Sequence, residues 1–173
     1  MTLFIRPTLT SDIAAITRIY AHAVRHGTAT FELEPPDEAE MLRRFDKLRA
    51  GPFPYIVAEI DGAVAGYAYA GAFRERPAYR FTVEDSIYIA PEMHRRGIGR
   101  ALLMRLIEEA EAAGFRQMMA VIGDSAQTAS IAVHRSCGFK DAGVFKAVGF
   151  KFGRWLDTVQ MQRALGEGSG TNP

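Results

Sequence analysis

The sequence predicts a single α/β domain, a mixed central sheet of about seven strands flanked by about four helices. Three observations carry that prediction. Apolar residues switch between a two-residue and a 3.6-residue period in the order β-α-α-β-β-β-α-β-α-β-β. No internal repeat divides the 173 residues. Hydrophobic residues make up 48% and charged residues 24%, enough apolar material for a core that needs no disulfide or metal.

Residues 3–6 read as a short strand stopped by Pro7. Thr10 or Ser11 can cap a helix over residues 12–26, which sets Ile13, Ile16, Ile19, Tyr20 and Val24 on one face and ends at Gly27. Residues 28–36 are too polar and proline-rich for core, yet they carry Phe31 and Glu32. Asp37 with Glu40 three residues on has capping-box spacing and opens a second helix to about Arg49. Residues 55–60 and 64–70 are strands joined by Asp61-Gly62, a hairpin signal. The loop at 73–80 is dense in charge, with Arg74, Glu75, Arg76 and Arg80.

Residues 81–89 alternate, are rich in β-branched side chains and read as a strand ended by Pro91. Residues 97–113 carry the clearest helical stripe, Leu102, Leu103, Leu106, Ile107 and Ala110, stopped by Gly114. Residues 118–122 form an apolar strand, 126–137 a helix ended by Gly138, and 139–146 and 154–162 the last two strands. The domain therefore covers 1–165, and 166–173 are expected to be a flexible polar tail.

Composition narrows the function classes. Lys+Arg 21 against Asp+Glu 20 leaves +1, with no global pull toward nucleic acid or an anionic membrane. A single cysteine, Cys137, excludes an intrachain disulfide and a cysteine-cluster metal site, and the four histidines show no metal spacing. No apolar run approaches bilayer length, and the N-terminus lacks signal-peptide character, so a cytoplasmic protein is expected.

One stretch stands out chemically. His94-Arg95-Arg96-Gly97-Ile98-Gly99-Arg100 lies between a strand and the strongest helix. Glycines there let several N–H groups converge at the positive end of a helix, an anion cradle suited to phosphate. A lone G-x-G is more often a plain helix-capping loop with solvated arginines. It is neither a Rossmann fingerprint, since Leu102 occupies the third glycine position, nor a P-loop.

Residues 87–91 followed by 95–103 resemble the acetyl-CoA-binding motif of the GNAT N-acetyltransferases, with His94 where that motif has Gln or Arg. Three further blocks, T-V-E-D-S-I-Y at 82–88, S-I-A-V-H-R-S-C-G-F at 130–139 and V-G-F-K-F-G-R-W-L-D at 148–157, resemble the phosphinothricin and methionine sulfoximine (or sulfone) N-acetyltransferase branch. The likeness covers roughly residues 3–163. It implies acetyl-CoA as co-substrate, held by Ile87, Tyr88, Ile89, Arg95, Arg96, Gly97, Ile98, Gly99, Arg100, Gln127 and Ser130. Relatives commonly have asparagine at the Gln127 position.

Acetyl transfer needs a neutral amine, and an amino-acid ammonium with a pKa of roughly 8 to 9 is mostly charged at pH 7. Read alone, Glu84 is an ordinary strand carboxylate, but the resemblance implies that it is the general base. Asp85 points to the opposite face if the strand is regular. A helix-face histidine is usually structural, whereas His134 falls where the branch has a catalytic histidine that could act as acid, base or hydrogen-bond donor. An anionic amino-acid substrate suits arginine forks, which nominates Arg74 and Arg80, with Tyr79 and Phe31 flanking a short stem and Glu32 drawing the ammonium. Cys137, beside a helix stop and with no base in view, reads as packing, so direct attack is expected rather than an acyl-enzyme.

The resemblance also implies a homodimer built with residues 145–157, in which Trp155 is either an interface anchor or a core aromatic. Rival readings are a GNAT enzyme for another amine, such as a peptide N-terminus, a polyamine or an aminoglycoside, and a CoA-binding sensor without catalysis. The arginine-rich loop disfavours polycations, and the presence of Glu84 disfavours the sensor.

Overall fold

The computed structural model describes residues 2–173. Strand β1 (Leu3–Pro7) leads through a 3-10 turn into α1 (Ile13–His26), and a loop leads to α2 (Glu38–Arg49). A meander follows, β2 (Tyr55–Ile60), β3 (Ala63–Ala72) and β4 (Thr82–Ile89), then α3 (Ile98–Ala112), β5 (Gln117–Gly123), α4 (Thr128–Ser136), β6 (Lys140–Lys151) and β7 (Arg154–Ala164). The seven strands form one sheet in the order β1-β2-β3-β4-β5-β7-β6, antiparallel except between β4 and β5. The mixed α/β fold expected from the sequence is the fold observed. Among the described residues no helix is long and apolar enough to cross a membrane.

Strand alternation feeds two cores. Even-numbered β4 side chains and odd-numbered β2 and β3 side chains meet α1 and α2, where Tyr67 stacks on Tyr55 and Tyr88 and Tyr20 meets Tyr88 edge-on. The opposite face packs Ile98, Leu102, Leu103 and Leu106 of α3 against Ala68, Ala70, Val83, Met118 and Met161. At Asp61-Gly62 both φ angles are positive, 51° and 82°, as a two-residue type I′ hairpin requires.

One junction is incomplete, and it places the site. Parallel pairing of β4 with β5 involves only Thr82, Val83 and Glu84 against Gln117, Met118 and Met119. Beyond Glu84 the two strands diverge, opening the sheet into a wedge.

Local details depart from the sequence expectations for identifiable reasons. Neither Thr10 nor Ser11 caps α1; the Asp12 carboxylate instead accepts from the Leu9 N–H at 2.8 Å and from both terminal nitrogens of Arg6 at 2.7 and 2.9 Å. Only half of the Asp37–Glu40 capping box forms. Asp37 accepts from the Glu40 N–H at 2.9 Å, while the Glu40 carboxylate turns to Arg43 and Arg44. Strand β6 runs on to Lys151 across a bulge at residues 146–148, where the Asp157 carboxylate receives the Ala147 N–H and Lys146 Nζ. The C-terminal segment turns back at Leu165–Gly168, and Arg116 Nη2 donates to Thr171 Oγ1 and Asn172 O.

Candidate active site

The wedge between β4 and β5 opens onto a cleft of about 300 Å³ lined by Phe31, Glu84, Asp85, Ile87, Ile122, Gln127, Ser130 and His134 among others. Its backbone chemistry follows from register. The N–H of Ala90 donates to Ala65 O and that of Phe73 to Thr82 O, so even-numbered β4 residues turn their peptide groups toward β3. Odd-numbered residues face the other way, as Phe81 O accepting from Arg116 N and Gln117 N confirms. Past the end of the parallel ladder, the N–H groups of Ile87 and Ile89 therefore point into the opening with no strand to meet them.

Glu84 sits where the wedge begins, on the same face of β4 as Ser86 and Tyr88. Its carboxylate makes no hydrogen bond or ion pair with any described residue. Burial, assisted by the charge of neighbouring Asp85 and only partly opposed by Arg74, pushes its pKa up to about 7. A carboxyl group poised there can accept and release a proton near neutral pH.

Asp85 points to the opposite face, as strand alternation demands, and meets His134 of α4 with Oδ2 2.8 Å from Nε2. The His134 Nδ1–H donates to Ser130 O at 2.8 Å. A carbonyl can only accept, so that proton is fixed on Nδ1. Both residues are buried, at 8% and 5% exposure. Burial pulls the histidine pKa down, but the Asp85 hydrogen bond and charge together with the Ser130 carbonyl outweigh it, and the net shift is upward. Asp85 Oδ1 is buried without a partner on the wall of the cleft.

At the far end, Arg95 and Gly97 both adopt positive φ, 60° and 77°, turning the chain into α3. The first helical bond is Ala101 N to Gly97 O, which leaves the N–H groups of Ile98, Gly99 and Arg100 as open donors at the helix start. A Cβ at Gly97 would meet nothing within 4 Å, so the glycine is there for its backbone conformation rather than for space. His94 does not face this cradle: its Nε2 lies 3.2 Å from Ile89 O and ties the loop to the end of β4. Arg95 and Arg100 are exposed beside the cradle, and Arg96 lies between them.

The remaining predicted residues divide. Phe31, Gln127 and Ser130 line the cleft with Glu84, Ile87, Tyr88 and His134. Gln127 spends its side-chain amide on Thr28 Oγ1 at 3.0 Å. The Glu32 carboxylate is taken by Arg44 Nη1 at 2.6 Å and the Tyr20 hydroxyl at 2.8 Å, which neutralises the charge expected to draw an ammonium. Arg74 lies over the rings of Phe73 and Tyr79, and Arg80 over Phe81; none of them lines the cleft, although the charge of Arg74 reaches Glu84. Trp155 is 65% exposed, which removes the alternative of a core aromatic, and Cys137 is buried. Sequence reasoning missed Thr28, Thr30, Asp124 and Lys151, polar residues buried around the cleft. Only Lys151 carried any signal, as part of the block that resembles the branch.

A split sheet edge with open N–H groups, a helix start with open donors and a carboxyl of near-neutral pKa without a partner among the described residues are suited to acyl transfer. The acetyltransferase (GNAT) family model matches residues 15–139, and the chain belongs to that family. It is 56% identical over 162 residues to the phosphinothricin N-acetyltransferase of Alcaligenes faecalis, spanning 94% of this chain and 82% of that protein. It is 42% identical to the L-methionine sulfoximine/L-methionine sulfone acetyltransferase of Salmonella typhimurium, spanning 91% of each. The crystal structure of a GNAT superfamily phosphinothricin acetyltransferase from Sinorhizobium meliloti in complex with AcCoA superposes with a TM-score of 0.97 at 54% identity, over 100% of this chain and 94% of that one. The protein is an acetyl-CoA-dependent N-acetyltransferase.

Proposed function

We propose that this enzyme acetylates the amine of a small anionic amino acid of the phosphinothricin or methionine sulfoximine kind, by direct attack with Glu84 as general base. The observation that carries the proposal is the placement of Glu84: half-buried at the origin of the wedge, without a partner among the described residues, with a pKa of about 7. Relatives that bear those activities are 56% and 42% identical to this chain over nearly its whole length. The exposed guanidinium of Arg74, close enough to act on the Glu84 charge, suits a carboxylate or phosphinate at the rim, with Arg80 and Tyr79 beside it. Glu32, already paired, serves instead to hold Arg44 and Tyr20 in place.

Acetyl-CoA fits the opposite approach. The three open N–H groups at the start of α3, flanked by Arg95, Arg96 and Arg100, would hold its pyrophosphate, and the wedge would admit its narrow arm past Ile87, Gln127 and Ser130. The amine nitrogen bonds to the thioester carbonyl carbon, the C–S bond breaks, and CoA leaves as a thiolate that takes up a proton from solvent. The Ile89 N–H lies free to polarise a carbonyl placed in the opening, while Glu84, directly or through one water, takes the proton from the amine. His134 is locked between Ser130 O and Asp85, so its role is to hold Asp85 and α4 rather than to deliver a proton freely.

Two assembly statements belong to the same reading. The β6–β7 hairpin exposes Phe145, Val148, Phe150, Phe152 and Trp155, and we assign this apolar face to a homodimer contact of a cytoplasmic enzyme. Light scattering of the purified protein is expected to give twice 19.1 kDa, and a monomer would refute the assignment. The functional test is acetyl-CoA-dependent thiol release with L-phosphinothricin, methionine sulfoximine, methionine sulfone, spermidine and a peptide N-terminus. Saturable turnover confined to the first three is expected; turnover on either control alone would replace the substrate class.

A further inference from the structure

The loop between α1 and α2 lines the cleft with Ala29, Thr30 and Phe31. It is fastened on both sides. Toward the helices, the Tyr20 hydroxyl reaches Thr30 Oγ1 at 2.9 Å and Glu32 Oε1 at 2.8 Å. Toward the other half of the sheet, Thr28 Oγ1 meets Gln127 Nε2 at 3.0 Å and Asp124 Oδ2 at 3.3 Å. A further tie comes from Lys151, the last residue of β6, only 3% exposed. Its Nζ donates to Gly27 O at 2.9 Å and to Thr30 O at 2.8 Å, and the Phe152 ring centroid lies 5.0 Å away.

A lysine is almost never so deeply buried without a specific task, because desolvating an ammonium is costly. No carboxylate pairs with it; two loop carbonyls and an aromatic face receive it instead. Each hydrogen bond from a charged donor to a carbonyl outranks a neutral one. The bonded carbonyls belong to residues 27 and 30, so Lys151 brackets the turn that delivers Phe31.

The ring position is set from two further sides. A Cβ at Gly149 would overlap the Phe31 ring, and a Cβ at Gly123 would overlap Thr28 O and lie 2.9 Å from the ring's Cε1. Neither glycine has a positive φ, so space for the ring at Gly149, and for the loop backbone and the ring at Gly123, is what these positions supply. Lys151 and Gly149 lie on β6 and Gly123 at the end of β5, with β7 between the two strands in the sheet.

We infer that Lys151 is a positioning residue for the acceptor site: it pins the loop at residues 27–30 so that Phe31 is seated between Gly123 and Gly149 as a fixed wall of the amine pocket. The inference rests on the reading of this cleft as an amino-acid acetylation site. It assigns no substrate contact to Lys151, whose effect passes through Phe31. Acceptor recognition then depends on the β6–β7 hairpin, some 120 residues downstream of the loop that it holds.

The test compares wild type, Lys151→Met, Phe31→Ala and the double variant in steady-state kinetics with L-phosphinothricin or methionine sulfoximine. Lys151→Met is expected to raise acceptor KM by roughly tenfold or more, the weight of two charge-assisted hydrogen bonds, with acetyl-CoA KM within about threefold of wild type. In the Phe31→Ala background the same substitution should change acceptor KM by less than about threefold, because the element that it positions is gone. Hydrogen exchange should quicken at residues 27–32 while the β2–β4 amides keep wild-type protection. Unchanged acceptor KM in Lys151→Met, full additivity in the double variant, or unchanged exchange in the loop would each overturn the inference. A wild type that turns over neither acceptor would instead refute the proposed substrate class. Should Lys151→Met fold poorly, Gly149→Ala moves the ring without touching the lysine, and it must raise acceptor KM in the same selective way.

Discussion

Replacing Glu84 with glutamine should have two opposite effects, and their combination is diagnostic. Glutamine keeps the shape of the side chain and removes both the charge and the base. In the folded chain the Glu84 pKa lies near 7 against an ordinary value of 4.5, with burial the largest cause and the Asp85 charge second. At roughly 1.4 kcal/mol for each pH unit, that gap corresponds to about 3 kcal/mol of folding stability sacrificed once the group is ionised. The sign is fixed by the direction of the shift. A carboxyl whose folded pKa is raised costs nothing well below pH 4.5, its penalty grows between pH 4.5 and about 7, and above that it is full. The variant should therefore match wild type in urea denaturation near pH 4.5 and exceed it by up to about 3 kcal/mol at pH 8. Over the same range kcat should fall by about 10² or more, and the acid limb of kcat/KM near pH 7 should vanish. Acetyl-CoA binding, measured by calorimetry, should stay within a few-fold. A variant with a wild-type rate, or one whose stability tracks wild type at every pH, would refute the assignment of Glu84.

Three further substitutions probe other parts of the site. Asp85→Asn removes a charge that helps hold the Glu84 pKa up, so the acid limb of kcat/KM should move to lower pH; a limb that stays in place would show that the two carboxyls do not communicate. His134→Gln leaves Asp85 buried without its cationic partner, at a cost on the order of 3 kcal/mol. Because the folded histidine pKa is raised, that cost should be full below pH 6.5 and shrink as pH climbs through the raised value, which urea midpoints at pH 6 and pH 9 will show. Gly97→Val forces a β-branched residue to φ 77°, so calorimetry should give at least about tenfold weaker acetyl-CoA binding while the acceptor KM is unmoved.

What the sequence disclosed depended on how local the controlling contact was. The stripe of α3, the Asp61-Gly62 turn and the Gly97 loop are written in neighbouring residues, so periodicity and glycine placement reveal them. Glu84 and Asp85 were separable by strand alternation alone. The pairing of Asp85 with His134 was not, since the two are 49 positions apart and no pattern announces that contact. Glu32 illustrates the reverse error: its carboxylate looked available until the helix bearing Arg44 was packed against it. Glu40 had two possible partners within one helical turn, and the arginines outcompeted the backbone N–H. Strand β6 outlasted its predicted end because the Asp157 side chain, from the adjoining strand, supports the bulge. Lys151 lay in a block that resembles the branch, but nothing local marked its burial, since only the returning loop covers it.

Initial rates over a matrix of acetyl-CoA and L-phosphinothricin concentrations test the central claim most directly, since both ligands must meet at Glu84 in one complex. The expected result is saturation by both, with double-reciprocal lines that intersect. Parallel lines would indicate an acyl-enzyme and exclude direct attack, and an absence of turnover with bound acetyl-CoA would contradict the amino-acid acceptor.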